Sequence, residues 1–292
     1  MTNLKIIGLL LVVISGCTIP VEIETPQPEQ KPVIICFFTP TEPFVLHLTH
    51  SANQTDTTTN IIDNALVTLS TNEDFYTQLP HQSNGYYTDT TIYPKSGIMY
   101  NLTVEIPGLP TLSASDSIPA AVSTFSFIKY TEKRWFTEGS EYSGLTFEID
   151  ENPGTNYYEI LYRVSYHHPF YDELTPRFKI GHFRTIGLAD DDIIWQSLFT
   201  NTLFAGKKIT IELADNNIEY FRSMDSLNYT VQILQESPSL YKYRHTLIKH
   251  LDAQYADFWE PIEPVIMYTN IDNGYGIFAG YQSQITPIIF PE

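Results

Sequence analysis

Tyr100-Asn101-Leu102-Thr103-Val104-Glu105-Ile106 decides the fold class, because every even-numbered residue in it is apolar and every odd-numbered one polar. Successive side chains leave a strand on opposite faces, so this period of two marks a strand with one face in a core and one in water. Phe44, Leu46 and Leu48 show the same alternation upstream, and Val67 and Leu69 show it more briefly. Downstream it returns in Leu145, Phe147 and Ile149, in Tyr158, Ile160, Tyr162, Val164 and Tyr166, in Ile209, Ile211 and Leu213, and in Tyr229, Val231 and Ile233. Polar, turn-rich stretches at 51–60 and 81–85 separate the strands, as hairpin loops and sandwich corners do. The pattern predicts an all-β chain of two Ig-like antiparallel β-sandwich domains, residues 33–119 and 120–292, meeting at a linker-like passage, 113–122, that contains Pro119.

One helix is expected among the strands of the second sandwich. Ser237-Pro238 supplies a cap and a first-turn proline, and Leu240, Tyr243, Leu247 and Leu251 then recur at helical spacing, which predicts a helix near 238–254 with its apolar stripe on that sandwich. Near the C-terminus, Asn273-Gly274 is suited to positive φ at both centres of a type I′ turn, and predicts a closing hairpin. Gly276 and Gly280 just beyond it permit bulges or close backbone approach.

Composition narrows the class of partner. The 292 residues hold 16 Lys and Arg against 34 Asp and Glu, a formal charge of −18. Such a body repels phosphate backbones, which argues against nucleic-acid binding. With 42% hydrophobic and 14% aromatic residues the chain has ample material for buried cores.

The first residues read as an address. Lys5 precedes nine residues from Ile6 to Ile14, apolar but for Gly8, too short a stretch for a bilayer core that needs about 20. Residues 1–16 therefore read as a signal peptide, and Ile14-Ser15-Gly16-Cys17 resembles a bacterial lipobox, which implies diacylglyceryl transfer to the Cys17 thiol. Residues 17–32 carry Pro20, Pro26, Pro28 and Pro32 with Glu22, Glu24 and Glu29, the composition of an extended tether rising about 3.1 Å per residue. If a lipid occupies Cys17, Cys36 has no disulfide partner, and its setting in Val33-Ile34-Ile35-Cys36-Phe37-Phe38 suits a buried strand residue.

Chemistry-bearing motifs are weak. His47 and His50 lie three apart on a strand and diverge, and His167-His168 precede Pro169. Asp190-Asp191-Asp192 lacks the spacing of a calcium loop and reads better as a solvated helix start. Neither a catalytic set nor a metal site is expected, and no cofactor beyond the acyl lipid. The irregular region 166–195 and the scattered aromatics leave Tyr171, Trp195 and Trp259 as candidate partner contacts, since exposed rings anchor proteins and stack on sugars.

The C-terminal stretch holds the most specific pattern: Phe258-Trp259-Glu260-Pro261, Val265, Tyr268-Thr269-Asn270-Ile271, and Asn273 to Tyr281 with its three glycines. Together with the lipobox, the tether, the strand near residue 33 and the helix beginning near Ser237, it resembles a large family of uncharacterised Bacteroidota outer-membrane lipoproteins. That resemblance covers nearly the whole mature chain and implies a neighbour, because members are commonly encoded beside TonB-dependent receptors. The expected function is a non-catalytic binding accessory of such a β-barrel, lipid-anchored on the periplasmic or cell-surface face. The alternative is a structural or adhesin-type subunit of an outer-membrane assembly.

Overall fold

The computed structural model describes residues 30–52, 60–72, 76–120, 123–135, 141–151, 153–167, 177–182, 184–186, 193–194, 198–202, 205–215, 218–222, 225–254 and 265–291. Among them the protein is all-β, with two helices. The first half runs β1 (Pro32–Phe38), β2 (Val45–His50), β3 (Leu66–Thr71), β4 (Tyr76–Leu79), β5 (His81–Ser83), β6 (Tyr86–Thr88), β7 (Met99–Glu105) and β8 (Leu112–Ser117). Next come β9 (Thr124–Trp135), β10 (Glu141–Asp150), β11 (Tyr157–His167), β12 (Arg177–His182), β13 (Arg184–Ile186) and β14 (Ile193–Ile194). The chain closes with β15 (Leu198–Thr200), β16 (Lys208–Asp215), α1 (Ile218–Arg222), β17 (Asp225–Glu236), α2 (Pro238–Gln254) and β18 (Tyr275–Pro287). The short α1 has no counterpart in the apolar periodicity, and Ser113–Ser117, read from sequence as the start of a linker, belongs to β8.

Residues 31–292 form one compact unit built on a long sheet of order β12-β11-β17-β18-β1-β2-β6-β5, with β15 also paired to β11. A four-stranded sheet, β4-β3-β7-β8, and a five-stranded sheet, β14-β13-β16-β10-β9, complete the sandwich-like layers. Among the described residues two large hydrophobic cores result, and a small third cluster lies under α2. One joins Ile34, Phe38, Phe44 and Leu46 to Leu69, Leu102 and Val104; the other joins Tyr158, Ile160 and Tyr229 to Phe147, Ile149 and Leu213. The long sheet contributes to both. Its strand β18 lends Phe278 to the first core, and Ile288 just past its end belongs to the second.

That strand also departs from the antiparallel expectation. β18 pairs with β17 antiparallel but with β1 in parallel, Val33 opposite Tyr275 through Phe38 opposite Gly280. Two residues permit the approach. A Cβ on Gly276, where φ is +102°, would sit 1.9 Å from the carbonyl oxygen of Ile34, and one on Gly280 would sit 2.8 Å from the Ile118 nitrogen. The Phe38 and Phe278 rings then meet at 4.7 Å between centroids, tilted by 36°, at the centre of an aromatic nucleus that includes Phe44 and Tyr100.

The Asn-Gly turn forms elsewhere than expected. Asn84 (φ 51°) and Gly85 (φ 75°) both take positive φ between β5 and β6, as a type I′ hairpin requires. At 273–274 only Asn273 does so, and this segment leads into the β1-paired strand rather than closing a two-stranded hairpin. Tertiary pairing, with Gly274 packed against Leu112 and the Pro32 carbonyl, overrides the local preference.

Candidate functional site

Helix α2 starts where Ser237 leaves β17. Its hydroxyl accepts the Leu240 N–H at 3.2 Å as an N-cap, and Pro238 occupies the first turn, where a missing N–H costs nothing. The helix lies on the face of the long sheet that points away from the two cores. There Leu240 packs on Ile277 and Ala279 of β18, with Ile35, Tyr243, Tyr268 and Tyr281 around them. Its apolar stripe thus seats on β18 and β1, strands at the middle of the sheet, rather than on the second core alone, and Leu251 at its far end is exposed.

Polar groups are buried beneath this helix. Glu159 on β11 and Glu236 on β17 are 1% and 2% exposed. Glu236 stands opposite Tyr157 and Glu159 opposite Leu234, so parity puts both carboxylates on the helix-facing side, diagonal to one another. Arg244 of α2 reaches down to them, its Nε 3.5 Å from Glu159 Oε2 and 3.8 Å from Glu236 Oε1. The guanidinium also lies over the Phe37 ring at 5.5 Å. Burial pushes the Glu236 carboxyl well above its usual range; the charge of Glu159 adds to this, and Arg244 opposes it.

A third buried carboxylate marks the start of the same helix. Asp116 on β8 accepts hydrogen bonds from the Ser237 hydroxyl and from the Gly280 N–H. Burial raises its pKa to about 6 in spite of those bonds and one from the Ser117 N–H. An open cavity of about 240 Å³ lies beside this junction, lined by Ser117, Pro119, Asn156, Tyr157 and Ser237 and bordered by Glu236, whose carboxylate oxygens stay buried. A second one, about 330 Å³, lies against the first core and is lined by Asn64, Leu66, Glu105, Ile106, Leu109 and Thr111.

Cys17, Tyr171, Trp195 and Trp259 lie outside the described residues, as do His168 and Asp190 to Asp192. In the described part of the irregular region, β12 joins the long sheet and β13 the five-stranded one, so the chain crosses from one layer to the other there. His47 donates from Nε2 to the Asn84 carbonyl oxygen at 3.2 Å and stacks on Tyr86 at 4.3 Å. Cys36 is a free, buried thiol on β1, and burial raises its pKa far above the ordinary thiol value. Among the described residues no three His, Cys, Asp or Glu side chains converge as metal ligands do.

Sequence reasoning missed Asp116, Glu159, Glu236 and Arg244. Glu159 alternates with the apolar residues of β11 and so reads as solvent-facing; only α2, some 80 residues later, covers it. The one local signal was Ser237, whose capping role places the helix over the end of β17.

These features define an all-β, sandwich-like body with a cluster of two buried carboxylates and a guanidinium beneath its long helix. A family model matches residues 18–286, and the chain belongs to that family, DUF4249, a domain of unknown function. Among curated proteins nothing matches the chain.

Proposed function

We propose that the protein is a lipid-anchored, non-catalytic binding subunit of the bacterial outer membrane, working beside a TonB-dependent receptor or a similar β-barrel. One observation carries the reading: the short apolar segment 6–14 ends in Ile14-Ser15-Gly16-Cys17, and the family match begins at the next residue, 18. Signal cleavage before Cys17 would leave a sulfur for acyl chains, each buried methylene worth about 0.8 kcal/mol, and the whole family domain outside the bilayer. The body's acidity supplies no attraction to anionic lipid, so the lipid alone holds it.

The folded body supports binding over catalysis. Glu159 and Glu236, the carboxylate pair that a hydrolase would need in an open cleft, are sealed under α2. We further infer that each core belongs to an Ig-like sandwich, antiparallel but for the β1–β18 pair, on the support that each is enclosed between the long sheet and a smaller one. Partner contacts fall to the loops, with Tyr171, Trp195 and Trp259 as the aromatic anchors.

Mass spectrometry of the membrane-extracted protein tests the anchor: a first peptide beginning at acylated Cys17 is expected, and loss from the membrane in the Cys17→Ser variant. Crosslinking in intact cells tests the partner, and should capture a TonB-dependent barrel. Recovery of the native protein in the soluble fraction with an unmodified Cys17 would refute the reading; capture of other assembly proteins in place of a receptor would reassign it to a structural subunit.

A further inference from the structure

The cavity against the first core is walled by three short segments, each fixed by its own bonds. The loop before β3 is held by buried Tyr87, whose hydroxyl donates to the Ile62 oxygen at 3.0 Å and accepts the Ala65 N–H at 3.1 Å. The β7–β8 connection turns over Ile106-Pro107-Gly108-Leu109, with the Leu109 N–H on the Ile106 oxygen at 3.1 Å. Thr111, just beyond, is tied by its carbonyl oxygen to the Asn273 side-chain amide at 2.9 Å. Between these walls Leu66, at the head of β3, stands opposite Glu105, at the end of β7. Both lie on the face of the four-stranded sheet turned away from the core, since Val67 and Val104 beside them are buried. Walls already fixed demand little ordering when a ligand enters.

The lining of this cavity, about 330 Å³ in volume, divides by chemistry. Leu66, Pro107 and Leu109 offer exposed apolar surface. Glu105, Asn64 and Thr111 carry a carboxylate, an amide and a hydroxyl. Neither the Glu105 nor the Asn64 side chain has a hydrogen bond or ion pair among the described residues, and no Lys or Arg belongs to the lining. An anion would therefore meet only like charge. A divalent metal ion needs more carboxylates than Glu105 supplies, and among the described residues no three acidic, His or Cys side chains converge. A wholly apolar ligand would desolvate the carboxylate and return nothing to it. What fits is a cation on an apolar stem. The carboxylate, amide and hydroxyl oxygens match the three N–H donors of a primary ammonium, and the leucines match its methylenes.

We propose that this cavity binds a primary alkylammonium group: Glu105 pairs with the charge, Asn64 and Thr111 accept the remaining N–H donors, and Leu66, Pro107 and Leu109 cover the alkyl chain. A free amine and the lysine side chain of another protein present the same chemistry. The acidic body, at a formal charge of −18, raises the local concentration of either. The site goes beyond the anchored reading and does not rest on it, because nothing in the lining depends on what holds the protein at a membrane.

n-Butylamine, which reproduces the carbon stem and ammonium of a lysine side chain, tests the site on the purified full-length protein with methyl-labelled leucine, at neutral pH and low salt. n-Butanol and butyrate serve as its neutral and anionic counterparts. Butylamine should shift the Leu66 and Leu109 methyl signals saturably, butanol should bind about fivefold more weakly, and butyrate should leave them unmoved. Glu105→Gln should lower butylamine affinity to that of butanol without changing butanol, and high salt should do the same. Leu109→Ala, read at Leu66, should weaken both ligands alike. An end-blocked Gly-Lys-Gly peptide separates the two sources: binding as tight as butylamine's or tighter assigns the group to a partner's lysine, and weaker binding assigns it to a free amine. No shift at these leucines with either butylamine or the peptide would overturn the assignment. So would equal affinity for butylamine and butanol, unchanged butylamine affinity in Glu105→Gln, or indifference of both ligands to Leu109→Ala. The three small ligands on the wild type decide the matter even if a variant does not fold.

Discussion

Gly276→Ala measures how much the fold depends on the close approach of its first and last strands. Two costs arise at this position. The backbone φ is +102°, a conformation that a side chain disfavours by about 1–2 kcal/mol. The new methyl would also lie 1.9 Å from the Ile34 oxygen, which is main chain held in the β1 ladder and has no rotamer to yield. Forcing the two strands apart costs about 1–3 kcal/mol more, by analogy with overpacked cores. A matched control exists in Gly154, with φ of +107° and nothing within 4 Å of the equivalent methyl. Gly154→Ala should therefore show the backbone cost alone, and Gly276→Ala should exceed it by about 2 kcal/mol, roughly 30-fold in the unfolding equilibrium. Urea unfolding followed by circular dichroism reads both; for a slope of about 3 kcal/mol/M the difference is about 0.7 M in midpoint. If the two variants lose equal stability, β1 and β18 are not in the contact described, and the shared-strand architecture falls with it.

Four further outcomes follow from the buried groups. Leu240→Ala, at 1% exposure over Ile277 and Ala279, should cost about 2–4 kcal/mol in the same assay, and a loss under 1 would mean α2 is not seated on β18. Ser237→Ala removes both the helix cap and a donor to buried Asp116, an expected loss of about 1–2 kcal/mol at neutral pH; a neutral effect would discount the cap. Because burial raises Asp116 to about 6, its proton-linked contribution is complete below about pH 4 and lost as pH rises through 6, so wild type should lose stability relative to Asp116→Asn over that interval. Cys36 should resist iodoacetamide in the native protein and react on unfolding, tracked by mass spectrometry of its own peptide; rapid native alkylation would contradict its burial on β1.

What the sequence disclosed follows the range of the forces involved. Alternation within Tyr100 to Ile106 is local, each side chain reporting its own face, and it matches β7 with Tyr100, Leu102 and Val104 buried. Ser237-Pro238 is local as well, since a cap acts within one turn. The pairing of β1 with β18 joins residues more than 240 apart, and nothing near Val33 or Tyr275 names the partner or the parallel sense. The Asn-Gly pairs at 84–85 and 273–274 look alike in sequence, yet only the first has two short antiparallel strands to join. The cluster of Glu159, Glu236 and Arg244 was illegible for a related reason: polar residues on the alternate face of β11 and β17 are what water-facing strands show, and the helix that dries them arrives later in the chain.

The central place of β1 bears on the anchored reading. β1 begins at Pro32, so any pull transmitted through residues 17–31 enters the folded body at that strand. A strand at the edge of a sheet peels away one hydrogen bond at a time, because the load falls on the terminal bond alone. β1 is instead bonded on both sides, to β2 across Pro32 to Ile35 and to β18 across Val33 to Phe38. A force along it shears two ladders together, with the load divided among all their bonds and with Phe38 locked into the aromatic nucleus behind. β18 passes that load to both sides of the body, since it packs in the first core and pairs with β17 over the second. Paired on both sides, β1 itself offers no free edge as a template for adventitious strand addition. A chain that hangs by its first residues gains from this topology, whereas one free in solution would hold together equally well with its first strand at an edge.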